Sequence, residues 1–138
     1  MKRWLVLLIP AAVLTVVLAA RYINQEAARK RREIGYADAL KSYSQALQPG
    51  MTRKDVENYL RSKNTKFTWI FTAFGARRVS QTADIVKIGE EAAPWFCSEA
   101  YVYVAFEYKF TGIEDIHRQD PSDILERIEL FQPYTGCL

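Results

Sequence analysis

The sequence predicts an α+β domain behind an N-terminal membrane helix, with two further helices packed on one face of an antiparallel sheet of about four strands. Three observations lead there. An uncharged apolar run occupies residues 4–20. Two segments, residues 36–47 and 52–63, carry apolar residues at helical spacing. From residue 66 onward the apolar period drops to two and the connections shorten, the order expected of helices set on an antiparallel sheet rather than of alternating βαβ units.

Lys2 and Arg3 precede the apolar run. At about 1.5 Å of rise per helical residue, residues 4–20 span roughly 26 Å, close to the hydrocarbon thickness of a bilayer. That length favours a retained anchor over residues 1–21. The triplets Val17-Leu18-Ala19 and Leu18-Ala19-Ala20 also offer the small residues at which a signal peptidase cuts, so cleavage stays open. No cysteine follows the run, which sets aside a lipoprotein signal. Residues 22–33 continue as a basic juxtamembrane helix. Residues 1–33 hold seven Lys/Arg against two acids, whereas the other 105 residues hold 12 Lys/Arg against 14 Asp/Glu, so the net charge of +3 belongs to the membrane-proximal segment. The cluster Arg29-Lys30-Arg31-Arg32 reads either as attracted to anionic lipid headgroups or as part of a solvated helical stalk. The net-acidic remainder argues against nucleic-acid binding, which needs a basic face.

Orientation rests on two opposed signals. Five Lys/Arg follow the apolar run and two precede it, which by the positive-inside tendency holds the folded part in the cytoplasm. Cys97 and Cys137, an even number in a small domain, fit one disulfide in an oxidising compartment, with two buried free thiols as the alternative. Cys137 lies where a chain normally frays, and a bond back to Cys97 gives a physical reason for a cysteine there. Short apolar N-terminal segments opening Met-Lys-Arg commonly export the chain behind them. The expectation is a single-pass protein whose folded part is extracytoplasmic, in the periplasm.

Residues 34–138 read as one domain, with no Pro/Gly/Ser-rich linker or repeat to divide it. Tyr36, Leu40, Tyr43 and Leu47 line one side of a helix that stops at Pro49-Gly50. Thr52 is placed as the N-cap of a second helix, with Asp55 three residues on in a near capping box and Val56, Tyr59 and Leu60 as the apolar face. Glu57 and Arg61, four apart, pair on its outer side. Residues 66–73 read as a strand presenting Phe67, Trp69 and Phe71 on one face and turning at Phe74-Gly75-Ala76. Residues 83–88 make a short second strand ended by Gly89. In residues 101–110, Val102, Val104, Phe106, Tyr108 and Phe110 form a core face, and Tyr101, Tyr103, Ala105, Glu107 and Lys109 form one that is at least partly wet. After the turn Asp120-Pro121-Ser122-Asp123, residues 124–131 form a last strand offering Ile128 and Leu130 to the core.

The stretch Leu47-Gln48-Pro49-Gly50-Met51-Thr52-Arg53-Lys54-Asp55-Val56-Glu57-Asn58-Tyr59-Leu60 resembles the helix-turn-helix signature of the SmpA/OmlA domain, within the wider set built like β-lactamase inhibitor protein. In that signature a Gly-Met-Thr turn leads into a helix carrying Val and Leu, and Gly50, Met51, Thr52, Val56 and Leu60 are the matching residues. The resemblance implies an α+β fold and a habit of binding other proteins or the cell envelope. The same residues have local roles without it: Gly50 ends one helix, Thr52 caps the next, and Met51 plugs the corner between them. The Leu-Gly-x-Pro ending common in that family is here Leu60-Arg61-Ser62-Lys63.

Catalytic constellations are sparse. The single histidine, His117, stands beside Arg118 in a polar stretch. Cys97 and His117 are the residue types of a nucleophile and its base, but Pro94-Trp95-Phe96 surround Cys97 with apolar residues that favour an inert thiol or a disulfide. Glu90-Glu91 and Glu114-Asp115 read as solvated turns. No phosphate-cradling glycine loop occurs, two cysteines and one histidine are too few for zinc, and no cofactor is expected.

The expected function is non-catalytic: a membrane-tethered interaction module that binds another protein or an envelope component and touches lipid through residues 4–20 and 29–32. Its partner surface is expected on the outer sheet face at Tyr101 and Tyr103, with Trp69 and Trp95 as neighbours, because Tyr and Trp give large contact area at low entropic cost. Cover for the sheet is the plainer use of the same aromatics. A second reading is a cytoplasm-facing, membrane-anchored regulator whose helix over residues 52–63 meets nucleic acid through Arg53, Lys54, Arg61 and Lys63, although Asp55 and Glu57 interrupt that basic set. An enzyme using Cys97 and His117 is the third.

Overall fold

The structure, a computed structural model, describes residues 2–74, 79–109, 119–135 and 137. Side chains are described from Val13 onward, apart from those of residues 72–81 and 134. The chain divides into two compact units, Met1–Gly35 and Tyr36–Leu138. One helix, α1 (Lys2–Ala46), covers the first unit and supplies the opening residues of the second.

Within the first unit every described side chain except Glu26 is exposed. Arg29 bridges Glu26 at 2.8 Å and Glu33 at 3.4 Å, one turn to either side. Among the described residues no helix is long and apolar enough to cross a membrane. Residues 4–12 of the apolar run lie outside those whose side chains are described.

The second unit is α+β, two helices and a four-strand antiparallel sheet. After α1 come α2 (Arg53–Ser62), β1 (Thr68–Phe74), β2 (Val79–Glu90), β3 (Glu99–Lys109), β4 (Ile124–Phe131) and the short β5 (Tyr134–Thr135). The sheet order is β1-β2-β3-β4, and β5 adds to the start of β3 through Glu99–Thr135 and Ala100–Tyr134. The core lies between helices and sheet. Leu47, Val56 and Leu60 meet Val86, Val104, Phe106, Tyr108 and Leu125, with Leu40, Tyr43, Met51 and Tyr59 packed at the edge. Tyr43 sets its ring edge against Phe106 at 5.4 Å between centroids.

The corner between α1 and α2 is built from local chemistry and one long-range pairing. Gly50 has φ +99, a conformation costly for any residue with a Cβ. Thr52 Oγ1 accepts from the Asp55 amide at 3.3 Å and donates to Asp55 Oδ2 at 2.6 Å, capping α2. Gly50 N donates to Leu125 O, and Leu125 N to Met51 O, so the corner is stitched to the start of β4. Arg53 N donates to Asp123 O, and Lys54 N to Pro121 O, using the turn at 120–123 to satisfy the first amides of α2.

Several elements differ from expectation. β2 runs from Val79 to Glu90 instead of 83–88, and Gly89 does not end it: the register shifts between Lys87 and Gly89, and a Cβ on Gly89 would run into the Tyr36 ring. Glycine there admits the aromatic ring against the backbone, a packing role within the strand. β1 starts at Thr68 rather than 66, leaving Phe67 ahead of it to pack on the core. In β4 the core residue is Leu125, with Ile128 partly buried and Leu130 exposed. A bulge explains this, because the register shifts between Glu107 and Tyr108 and seats Leu125 opposite Tyr108. The outer face of β3 is drier than expected, with Ala105 and Glu107 fully buried. Ala83, Ile85 and Ala105 form a second cluster there, flanked by Ile70, Tyr103 and Phe131. The turn expected at Gly75-Ala76 and the strand residue Phe110 lie outside the described residues.

Candidate functional site

The helix side of the sheet is closed by a polar network centred on Arg53, whose side chain is 1% exposed. Its Nη2 donates to Asp84 Oδ1 at 2.5 Å, and its Nε and Nη1 lie 3.4 Å from Glu57 and 3.8 Å from Asp123. The guanidinium sits 4.7 Å above the Tyr108 ring, and the Tyr108 hydroxyl donates to Asp84 Oδ2 at 2.8 Å. Burial beside the Asp84 carboxyl holds the Tyr108 hydroxyl above its ordinary pKa, so it stays a donor. Burial likewise pulls the Asp84 carboxyl up, against the opposing pull of Arg53. Arg53 is thus a structural counter-ion rather than a surface cation. Arg61 pairs with Glu57 at 2.9 Å and covers Phe67, and Lys63 lies over Tyr59. Three of the four basic residues of the nucleic-acid reading are therefore engaged within the domain.

The opposite face carries Tyr101, Tyr103 and Phe131 in succession, with centroid separations of 6.2 and 6.5 Å. Lys87 Nζ stands 3.4 Å over the Tyr101 ring. Hydrogen bonding to Glu99 raises the Tyr101 hydroxyl pKa. Further along this face Glu107 is buried, with Arg127 Nη2 3.0 Å from its Oε2. Burial, together with the neighbouring Glu129 carboxyl, pushes Glu107 up to about 7.

The loop joining β2 to β3, residues 91–98, leaves the sheet at the Glu90–Tyr101 pair. Glu91 N donates to Ala100 O, Cys97 N to Pro94 O, and Ser98 N to Thr135 O. A disulfide joins Cys97 to Cys137, 40 residues away, and β5 lies between. On this braced loop Trp95 is 92% exposed and Phe96 42%, their rings in edge contact at 5.7 Å. The two aromatic neighbours of Cys97 in the sequence are therefore solvent-facing, and of the inert thiol and the disulfide that the sequence allowed, the structure has the disulfide.

The structure brings Tyr101 and Tyr103 together on the outer face and puts Trp95 at the same end of the β2–β3 hairpin. Trp69 is not their neighbour. It pairs in register with Asp84, whose carboxylate meets Arg53, so Trp69 belongs to the helix side. The sequence reading missed Phe96, Phe131 and Lys87 as parts of the aromatic surface. Phe131 is signalled only by its register with Tyr103. His117, Arg118 and Glu114-Asp115 lie outside the described residues. No family model matches the chain, and neither a curated protein nor a solved structure matches it.

Proposed function

We propose that this chain is a membrane-tethered, non-catalytic interaction module of the cell envelope. It is held by residues 4–20, its folded part is extracytoplasmic, and it grips a protein partner with the Trp95–Phe96 tip and the adjoining Tyr101 and Tyr103. One observation carries the reading: the most exposed tryptophan of the domain sits on a loop fastened by a disulfide and by hydrogen bonds at both ends. Stability alone favours burying such a ring, whereas a partner gains from an aromatic anchor that is already ordered. The disulfide suits an oxidising compartment. The apolar run supplies the tether, and residues 29–32 add attraction to anionic headgroups. The Gly50-Met51-Thr52 corner contributes what its resemblance to the SmpA/OmlA domain implies, a habit of binding other proteins or the cell envelope.

The test is site-specific photo-crosslinking in intact cells, with the photoreactive residue at position 95 and a control at Lys54 on α2. The expected result is a discrete protein adduct from position 95 alone. Equal or absent adducts at both positions would remove the partner surface.

A further inference from the structure

We propose that the chain works as a parallel homodimer zipped along α1 of its first unit. This rests on the reading of residues 4–20 as a membrane anchor, which sets two copies side by side in one direction. Beyond Ala20, the large aliphatic residues of this unit are Ile23 and Ile34, both exposed. They are 11 residues apart, three helical turns, so they share one face to within about 20°. Ala27 lies between them on that face, and the line runs back through Ala20, Val16 and Val13 in steps of three and four. Exposure of the four large members runs from 57% at Val13 to 67% at Val16, so the helix's own unit covers none of them.

Inside a bilayer, lipid satisfies apolar residues on every side of a helix. Tyr22 and Ile23 still lie at the headgroup level, but that account fails for Ile34, about 20 Å further along the helix than Ala20. A second copy satisfies the whole line at once. Its 3.5-residue period is that of a left-handed coiled coil, and Ala20 and Ala27 let two backbones approach closely. Charge fits the same register. Glu26 and Arg31 flank the seam on opposite sides five residues apart, the spacing at which Glu26 of one copy meets Arg31 of a parallel second copy. Lys30, the polar member of the seam, weakens the pairing but restricts register and strand number, as a lone polar residue does in such helices.

The full-length protein in isolated membranes tests this by cysteine cross-linking. Single substitutions Val16→Cys, Ile23→Cys, Ala27→Cys and Ile34→Cys are compared with Gln25→Cys and Arg32→Cys on the far face, under a mild oxidant. Covalent dimer at least several-fold stronger at the four seam positions is expected, and uniform or absent cross-linking overturns the seam. In the Ala27→Cys background, Glu26→Arg should lower the yield and added Arg31→Glu should restore it; indifference to both overturns the parallel register. Fractionation separates the two readings. Soluble protein that keeps the pattern refutes the anchor and leaves the seam, while membrane-bound protein without the pattern refutes the seam alone.

Discussion

The folded unit buries an arginine and exposes a tryptophan. Arg53, on the first turn of α2, is sealed between helix and sheet with carboxylates at Asp84, Glu57 and Asp123 and a ring beneath it. Trp95, on the β2–β3 loop, stands in solvent while the backbone around it is tied down. Each residue is where burial energetics alone would not put it. For Arg53 the reason lies inside the fold, since its charge and those of its partners compensate one another. For Trp95 nothing among the described residues of its unit supplies a reason, and the reason is sought in a partner. The contrast separates residues that hold this domain together from residues that it presents.

The largest expected effect is at the buried end. Arg53→Ala leaves Asp84 without its counter-charge and should destabilise by about 3–5 kcal/mol, read from thermal melts of the full chain in detergent. Adding Asp84→Ala should cost much less than a second independent loss, because the two side chains act as a pair. Additive losses would break the structural half of the comparison. Next, Cys137→Ser should cost roughly 2–4 kcal/mol by opening a 40-residue loop. It should also lower photo-adduct yield from position 95, since the same bond braces the tip.

What the sequence made legible is what short-range chemistry decides. The Thr52 cap, the apolar faces of both helices, the Asp120–Asp123 turn and the bounds of β4 depend on neighbours within a few residues. Arg53 was unreadable because its partner Asp84 is 31 positions away, and a basic residue on a short helix looks like any surface cation. Trp69 reads as a neighbour of Tyr101 because alternation within β1 says which residues share a side but not which side meets the helices. That is settled by register with β2. Leu125 and Leu130 exchange roles at a bulge that no single strand announces. At the site, Tyr101 and Tyr103 were legible from their alternation. The sequence also points to Trp95, which lies at the same end of the hairpin, but not to Phe96, whose exposure depends on how the 91–98 loop is braced.

A pH effect sharpens the comparison further. Glu107 keeps its proton up to about pH 7 in the fold, whereas the unfolded carboxyl loses it near its ordinary value. The folded state therefore binds more protons between those limits, and this group's contribution to stability is full at low pH and declines as pH rises through about 7. Glu107→Gln should raise the melting temperature at pH 8 and change little at pH 4. Equal effects at both pH values would contradict a protonated buried carboxyl. Smaller again, Thr52→Ala should cost about 1 kcal/mol through the lost cap.

The central claim is that Trp95 serves contact and not folding, and the stability of Trp95→Ala tests it most directly. Chemical denaturation of the full chain in detergent should give a midpoint equivalent to wild type within about 0.5 kcal/mol, with an unchanged slope, as expected of an exposed side chain. A loss of about 2 kcal/mol or more would mean the indole packs within its own domain, and the account of the tip as a partner anchor would fail.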